Sequence, residues 1–344
     1  MKKKIQDFTL EEIEKEMLRI NEPVHRARQI FKWTHQKAVN TFSEMTDIPK
    51  ALHLKLDKKY IISRPCCVDR VRSKDGTEKF LWKLDDGKCV ETVLIKERTR
   101  KTVCISTQVG CKFKCPFCAS GSKGFTRDLS TGEIVGQVIA VQELCSLKVT
   151  NVVFMGMGEP LDNYDKVVKA IRIMNHPEGL GIGARKITIS TCGVVPKILK
   201  LKDLGIQIEL SVSLHAAENR LRNELVPINR RYPLERLIDA CIEYREYTGR
   251  IVTLEYTLIK GKNDLYKDAV KLAKIARFIR AKVNLISCNS FEAAQYAGSD
   301  RVSINRFKQY LEDRKVTATV RKSKGSDIMA ACGQLAVTMH KRVY

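Results

Sequence analysis

From Lys101 onward the chain repeats one unit, a short apolar run of strand character followed by an amphipathic helical stretch. The runs fall at 102–106, 151–155, 186–191, 207–214, 252–259 and 282–287, with helices near 131–145, 164–175, 195–203, 234–247 and 265–278. Strands separated by whole helices cannot pair as hairpins, and right-handed crossovers align them in parallel. Six such units predict an α/β fold in which the sheet curls into a partial (β/α)6 barrel. Barrels of this kind carry their reactive groups at the carboxyl ends of the strands, so each strand end is a place to look for chemistry.

The first strand carries Cys104 and delivers the loop Cys111-Lys-Phe-Lys-Cys115-Pro-Phe-Cys118. Three thiolates at this spacing can hold three irons of a [4Fe–4S] cube and leave the fourth iron open for a small ligand. A closed electron-transfer cluster asks for four cysteines, and a structural zinc site for two ligand pairs with a longer loop between them. Phe117 suits packing against a cluster or its ligand, and Gly110 allows a tight turn into the loop. The second strand ends in Gly156-Met157-Gly158-Glu159-Pro160, where glycines permit close backbone approach and Glu159 offers a carboxylate to an ammonium group. Ser190, Ser213-Leu214-His215 and Asn289 end the third, fourth and sixth strands with groups able to bind a ribose or an amino-acid carboxylate. Near the end of the chain Cys332 stands between Ala331 and Gly333, an open thiol suited to being modified and then reaching a substrate. Cys66, Cys67, Cys89, Cys145, Cys192, Cys241 and Cys288 carry no such signal and read as core or incidental.

Ahead of the barrel, residues 1–60 read as a helical module, with Leu10, Ile13, Met17 and Leu18 at helical spacing. Phe31 and Trp33 lie beside Arg26, Arg28 and Lys32, so the module is an accessory RNA-binding candidate, with the aromatics expected mainly in its core. Residues 61–100 change to strand character around Lys74-Asp75-Gly76 and Asp85-Asp86-Gly87, both hairpin signals, and are expected to form a small β linker sheet. Residues 101–344 then form the barrel and the Cys332 loop. The chain has 62 Lys and Arg against 39 Asp and Glu, and between Lys96 and Arg127 eight basic residues face Glu97 alone. That surplus argues for a polyanionic partner. The start Met-Lys-Lys-Lys-Ile-Gln-Asp lacks an apolar signal core, and no run approaches the ~20 apolar residues of a membrane helix. A cytoplasmic location without membrane contact is expected, with the twelve cysteines as reduced thiols and metal ligands.

Together these stretches resemble the RlmN/Cfr family of radical S-adenosylmethionine (SAM) enzymes, which methylate an adenine ring carbon in RNA. The resemblance covers nearly the whole chain, including the residues 26–33, 42–46 and 91–93, the cysteine loop, Gly-Met-Gly-Glu-Pro-Leu at 156–161, Ser-Leu-His-Ala at 213–216, and Asp-Ile-Met-Ala-Ala-Cys-Gly-Gln-Leu ending at Leu335. It implies a radical SAM barrel in which Cys111, Cys115 and Cys118 ligate the [4Fe–4S] cluster. It further implies that Gly158, Glu159, Ser190, Ser213, Leu214, His215 and Asn289 contact SAM, of which each turnover consumes two. One SAM would methylate Cys332, and a second would give the radical that activates the S-methyl group for addition to C2 of adenine. Cys104 would then break the protein–RNA adduct and end as a disulfide with Cys332, with Glu91 moving protons. The implied partners are 23S rRNA, tRNA as a second substrate, and a low-potential electron donor such as flavodoxin or ferredoxin. The chain departs from the family at Ser287-Cys288-Asn289-Ser290-Phe291-Glu292, where an Asn-Pro segment is usual, and at Met329, where Asp is more usual. The C8-methylating branch of the family, another radical SAM enzyme and a non-enzymatic RNA-binding metalloprotein are the alternative readings.

Overall fold

The structure, a computed structural model, describes residues 2–291 and 296–337, so Glu292 of the departing segment lies outside the described residues. Strands β1 (Lys3–Lys4) and β2 (Tyr60–Ile61) pair in parallel and close the N-terminal module. Between them lie the helices Leu10–Arg19, His25–His35 and Lys50–Lys59, which bury Ile13, Met17, Ile30, Phe31, Leu52 and Leu56. The first helix starts at Thr9, whose hydroxyl accepts the Glu12 N–H while the Glu12 carboxylate accepts the Thr9 N–H, satisfying two otherwise orphan donors. Phe31 is core, packed edge-on to His176 at 5.3 Å, whereas Trp33 is half-buried with the Lys37 ammonium 3.4 Å above its ring.

Strands β3 (Cys66–Arg72), β4 (Glu78–Lys83) and β5 (Cys89–Lys96) follow, turned by Gly76 and Gly87 at φ of 84° and 79°, values open to glycine. The sequence suggests a separate linker sheet here, but these strands extend the barrel's own sheet. The reason is burial: β4 and β5 are covered on both faces, and an isolated hairpin would leave an open edge along an apolar strand. That edge is satisfied by β6 (Lys101–Cys104), which pairs antiparallel with β5.

After β6, the hairpin β7 (Gln108–Gly110) and β8 (Phe125–Asp128) brackets the cysteine loop. The barrel continues with β9 (Asn151–Phe154), β10 (Ile187–Thr191), β11 (Glu209–Ser213), β12 (Thr253–Leu258), β13 (Lys282–Ser287) and β14 (Ala318–Arg321). The sheet runs β14-β13-β12-β11-β10-β9-β6-β5-β4-β3, parallel from β14 to β6 and antiparallel beyond. Among the described residues β14 and β6 do not pair, so the barrel stays open. Strand β14 is an addition to the six expected. It is short and half exposed at the sheet edge, too weakly apolar to stand out in sequence.

The helix Thr131–Cys145 is apolar nearly all round because it lies between the sheet and the N-terminal module. Its Gly132 N–H donates to Asp7 Oδ1 at 2.7 Å, and a Cβ there would come 2.9 Å from Gln6. The module and the barrel therefore share one continuous core. No helix among the described residues is long and apolar enough to cross a membrane.

Candidate active site

One cavity at the carboxyl ends of the parallel strands gathers most of the expected residues. Cys111, Cys115, Cys118, Gly158, Glu159, Ser190, Ser213, His215, Asn289 and Cys332 all line it. Leu214 does not; its side chain is buried between two lining residues, and its backbone N–H donates to the Glu255 carbonyl at 3.0 Å. Glu91 lies outside the cavity as well, fully buried and paired with Lys79 at 3.1 Å.

Local chemistry explains how each group is held. The cysteine loop is tied by the Cys111 N–H to the Gly124 carbonyl at 2.9 Å and by the Cys118 N–H to the Cys115 carbonyl at 3.0 Å. Gly158 takes φ of 93°, and a Cβ there would stand 2.5 Å from the Gln108 side chain, so glycine is required beside Glu159. The Glu159 carboxylate accepts the Cys192 N–H at 2.8 Å and the Leu161 N–H at 3.0 Å. Burial still raises its pKa, against the pull of those donors. His215 is held in the left-handed region at φ of 56°, with Nδ1 accepting the Thr257 N–H at 3.0 Å and its ring edge-on to Phe117 at 4.9 Å. Burial, and after it Arg222, brings the imidazole down to about 3, so the ring is neutral with its proton on Nε2. Arg222 is itself buried and donates to the carbonyls of Cys192 at 2.7 Å, Leu214 at 3.1 Å and Ser213 at 3.2 Å, tying the ends of β10 and β11 together.

A second, smaller cavity adjoins the first. Cys104 lines it with Val93, Ile95, Lys322, Ser323 and Lys324, while Met155, Ile286, Asn289, Arg321 and Cys332 line both cavities. Cys332 thus stands in the wall between the three loop cysteines and Cys104. The Asn289 amide holds that wall, donating to the Cys332 carbonyl at 3.0 Å while its Oδ1 accepts the Ser323 hydroxyl at 2.9 Å. Burial pushes the Cys104 thiol up to about 12, with Cys332 adding to the rise and Arg321 opposing it. No two of the twelve cysteines are joined as a disulfide in the structure, Cys104 and Cys332 included.

Comparison with known proteins fixes the family. Residues 105–273 match the radical SAM superfamily and residues 3–62 the ribosomal RNA large subunit methyltransferase N-terminal domain. The chain is 46% identical over 332 residues to the probable dual-specificity RNA methyltransferase RlmN of Thermoanaerobacter sp. (strain X514), covering 96% of this chain and 97% of that protein. It is 44% identical to the corresponding protein of Geobacillus kaustophilus (strain HTA426), with 98% and 93% covered. The chain belongs to the RlmN family of radical SAM enzymes. Its fold is that of a radical SAM methyltransferase from Sphaerobacter thermophilus, with a TM-score of 0.91, 44% identity, and 97% of this chain and 99% of that one covered.

As an RlmN-family radical SAM enzyme the protein uses a [4Fe–4S] cluster and SAM, and the site's own chemistry fits both. Among the described residues no trio of donors converges on a single metal ion. A cube does not ask for convergence, because its three thiolates bind three separate irons. Without iron, burial drives the Cys111 thiol to about 12 and raises Cys115 and Cys118 as well, an environment in which only metal ligation would keep them as thiolates. Gly156, Gly158, Glu159, Ser190 and Ser213 share the wall with these thiols.

The wall of the large cavity holds further residues that the sequence does not single out. Cys192 and Cys288, read as core or incidental, line the large cavity, whereas of that group only Cys241 is deeply buried in the core away from it. Cys192 and Cys288 directly follow Thr191 and Ser287, the last residues of β10 and β13, so the strand-end rule could have found them. Glu255 and Thr257 on β12 line the same cavity, with Glu255 held by the Asn284 amide at 2.8 Å. Arg321 closes β14, and its Nη1 lies 3.2 Å from the Met155 sulfur. Cys332 beside it holds the guanidinium above its ordinary value against burial, with Glu255 and Cys104 adding to the effect.

Proposed function

We propose that this protein methylates C2 of adenine in 23S rRNA and tRNA, with Cys332 as the methyl carrier and Cys104 as the thiol that releases the product. The observation that carries the reading is the double position of Cys332, in the wall between the cavity of the cluster cysteines and the cavity of Cys104. When bound, the cluster supplies the electron that cleaves SAM reductively. Adenine C2 is electron-poor, so a carbon radical held on a protein sulfur succeeds where polar methyl transfer fails. Cys332 must first meet the SAM methyl group and later the RNA base, and a residue shared by two adjoining cavities can serve both encounters without a long journey. Arg321, Lys322 and Lys324 give the second cavity the cationic rim that an RNA backbone needs. The relatives' names, dual-specificity RNA methyltransferase, support an RNA substrate and more than one kind of target.

Residues 1–60 act in this reading as an RNA-binding accessory module, 61–100 as the connection, and 101–344 as the radical SAM core. A cytoplasmic location with a flavodoxin or ferredoxin as reductant completes it. Glu91, expected to move protons, is engaged by Lys79 and by the N–H groups of Ala336 and Val337, so proton transfer through it requires that segment to withdraw.

The test pairs two substitutions. Cys332→Ala leaves RNA free and unmodified, because no carrier remains. Cys104→Ala builds the adduct but cannot resolve it, so the protein runs as a nuclease-sensitive covalent complex on denaturing gels. Mass spectrometry of nucleosides from treated RNA should find 2-methyladenosine, and 8-methyladenosine would move the protein to the C8 branch. Full activity in Cys104→Ala would sink the two-cysteine assignment.

A further inference from the structure

The segment from Gly325 to Val337, which carries Cys332, is fastened to the antiparallel hairpins at several points. At its beginning the Gly325 N–H donates to Asp75 Oδ2 at 3.1 Å, and the Asp327 carboxylate accepts the Ser73 hydroxyl at 2.6 Å and the Lys74 N–H at 3.1 Å. In the middle Lys79 Nζ donates to the Met329 carbonyl at 3.3 Å while pairing with Glu91 Oε1 at 3.1 Å. At its end Glu91 Oε2 accepts the Ala336 and Val337 N–H groups at 2.8 and 3.1 Å. Lys79 and Glu91 are 2% and 0% exposed, so their charges are withheld from water and fixed by each other and by this segment.

The backbone beside these fastenings is strained. Met329 and Val337 lie in the left-handed region at φ of 53° and 58°, which side chains bearing a Cβ avoid and β-branched ones avoid most. Such conformations persist only where their surroundings over-determine them. Met329 bears the Lys79 contact and Val337 the Glu91 contact, and Cys332 lies between the two.

We propose that Lys79 is a positioning residue for Cys332, its ammonium linking Glu91 to the Met329 carbonyl and thereby setting the Cys332 sulfur in the wall between the two cavities. The antiparallel strands β3–β5 are then the mount for the methyl carrier, which gives the extension of the barrel sheet a part in the reaction. The proposal rests on Cys332 being the methyl carrier.

The experiment follows S-methylation of Cys332 by peptide mass spectrometry, in reconstituted holoenzyme given SAM, beside iron content and thermal melting. Lys79→Met takes a cation away from the buried Glu91 carboxylate, so Lys79→Met with Glu91→Gln is the informative variant: the amide oxygen can still accept from residues 336 and 337, while the Lys79–Glu91 pair and the link to Met329 are both removed. Methylation of Cys332, a step that does not use the Glu91 carboxylate, should fall about tenfold or more in the double variant, as misplacement of a reacting group by an ångström or less does, with iron content at the wild-type level. Asp327→Ala, at the exposed end of the fastening, should give a smaller fall in the same readout with wild-type iron. A double variant that methylates Cys332 at the wild-type rate overturns the proposal, because Lys79 then only neutralises a charge. If the double variant does not fold, a wild-type rate in Asp327→Ala overturns the mount itself. Absence of a methyl group on Cys332 in the wild-type protein instead overturns the carrier assignment on which the proposal rests.

Discussion

The loop of Cys111, Cys115 and Cys118 and the loop of Cys332 meet in one cavity, yet they are held in different ways. The first is mostly self-contained: the β7–β8 hairpin closes it, and its carbonyls and N–H groups satisfy one another within residues 108–128. The second has turn bonds of its own between residues 325 and 334 but leans besides on distant parts of the chain, on Ser73 to Glu91 at one side, Asn289 and Ser290 at another, and the cysteine loop beneath. Where the two touch, the Ala119 N–H donates to the Gly333 carbonyl at 2.7 Å and the Ser120 hydroxyl to the Leu335 carbonyl at 2.6 Å. Locally closed geometry suits a group that must stay put, as cluster ligands do. A loop held from outside can be released by changing a few contacts, which suits a thiol with two successive partners.

The largest effect that can break this contrast is expected from Cys115→Ser. Loss of the central ligand should abolish iron binding and 5′-deoxyadenosine formation while leaving the Cys332 segment folded, as protease resistance near the C-terminal end of the chain would show. Substantial iron in that variant would mean that the loop does not hold the cluster by its own thiols.

Next comes Gly110→Ala. Gly110 has φ of 78°, and a Cβ there would overlap the Gly124 carbonyl oxygen, so the hairpin around the cluster loop must distort at a cost of about 1–3 kcal/mol. Iron binding should weaken about thirtyfold, the weight of about 2 kcal/mol, and the alkylation rate of the Cys332 thiol should stay near wild type. A parallel loss in both readouts would show that the two loops form one cooperative unit.

The smallest change is expected from Arg321→Gln, which keeps hydrogen-bonding capacity but removes the cation shared by both cavities. Iron content should be unaffected, while the rate of Cys332 methylation falls about tenfold, the weight of one charge-assisted contact of about 1.4 kcal/mol. Restoration by Arg321→Lys would mark the effect as one of charge. An unchanged methylation rate would remove Arg321 from the reaction.

How much of the molecule could be read in advance follows the same contrast. The helices Thr131–Cys145 and Tyr164–Asn175 and the strand Lys282–Ser287 lie at the bounds expected from apolar periodicity, because burial of a face or of a whole strand is written in consecutive residues. The helix Arg301–Glu312 has an amphipathic pattern but lies beyond the six strand-and-helix units, and β14, an edge strand, carries little pattern at all. The cysteine loop is legible because the spacing of Cys111, Cys115 and Cys118 is written in consecutive residues. Arg321 and Glu255 are not, since nothing in an isolated Arg or Glu says which cavity it will face.

By itself, then, the order of residues determined the strand-and-helix alternation, the cysteine loop and the strand ends on which small polar groups cluster, all properties carried by near neighbours in the chain. Only the tertiary structure decided that β3–β5 continue the barrel sheet and that Lys79 and Glu91 are buried as a pair against the segment of Cys332. It likewise decided that Cys332 stands between two cavities. These depend on which surfaces meet across hundreds of residues, and that choice is made by the summed burial of apolar faces and the pairing of buried polar groups rather than by any local pattern.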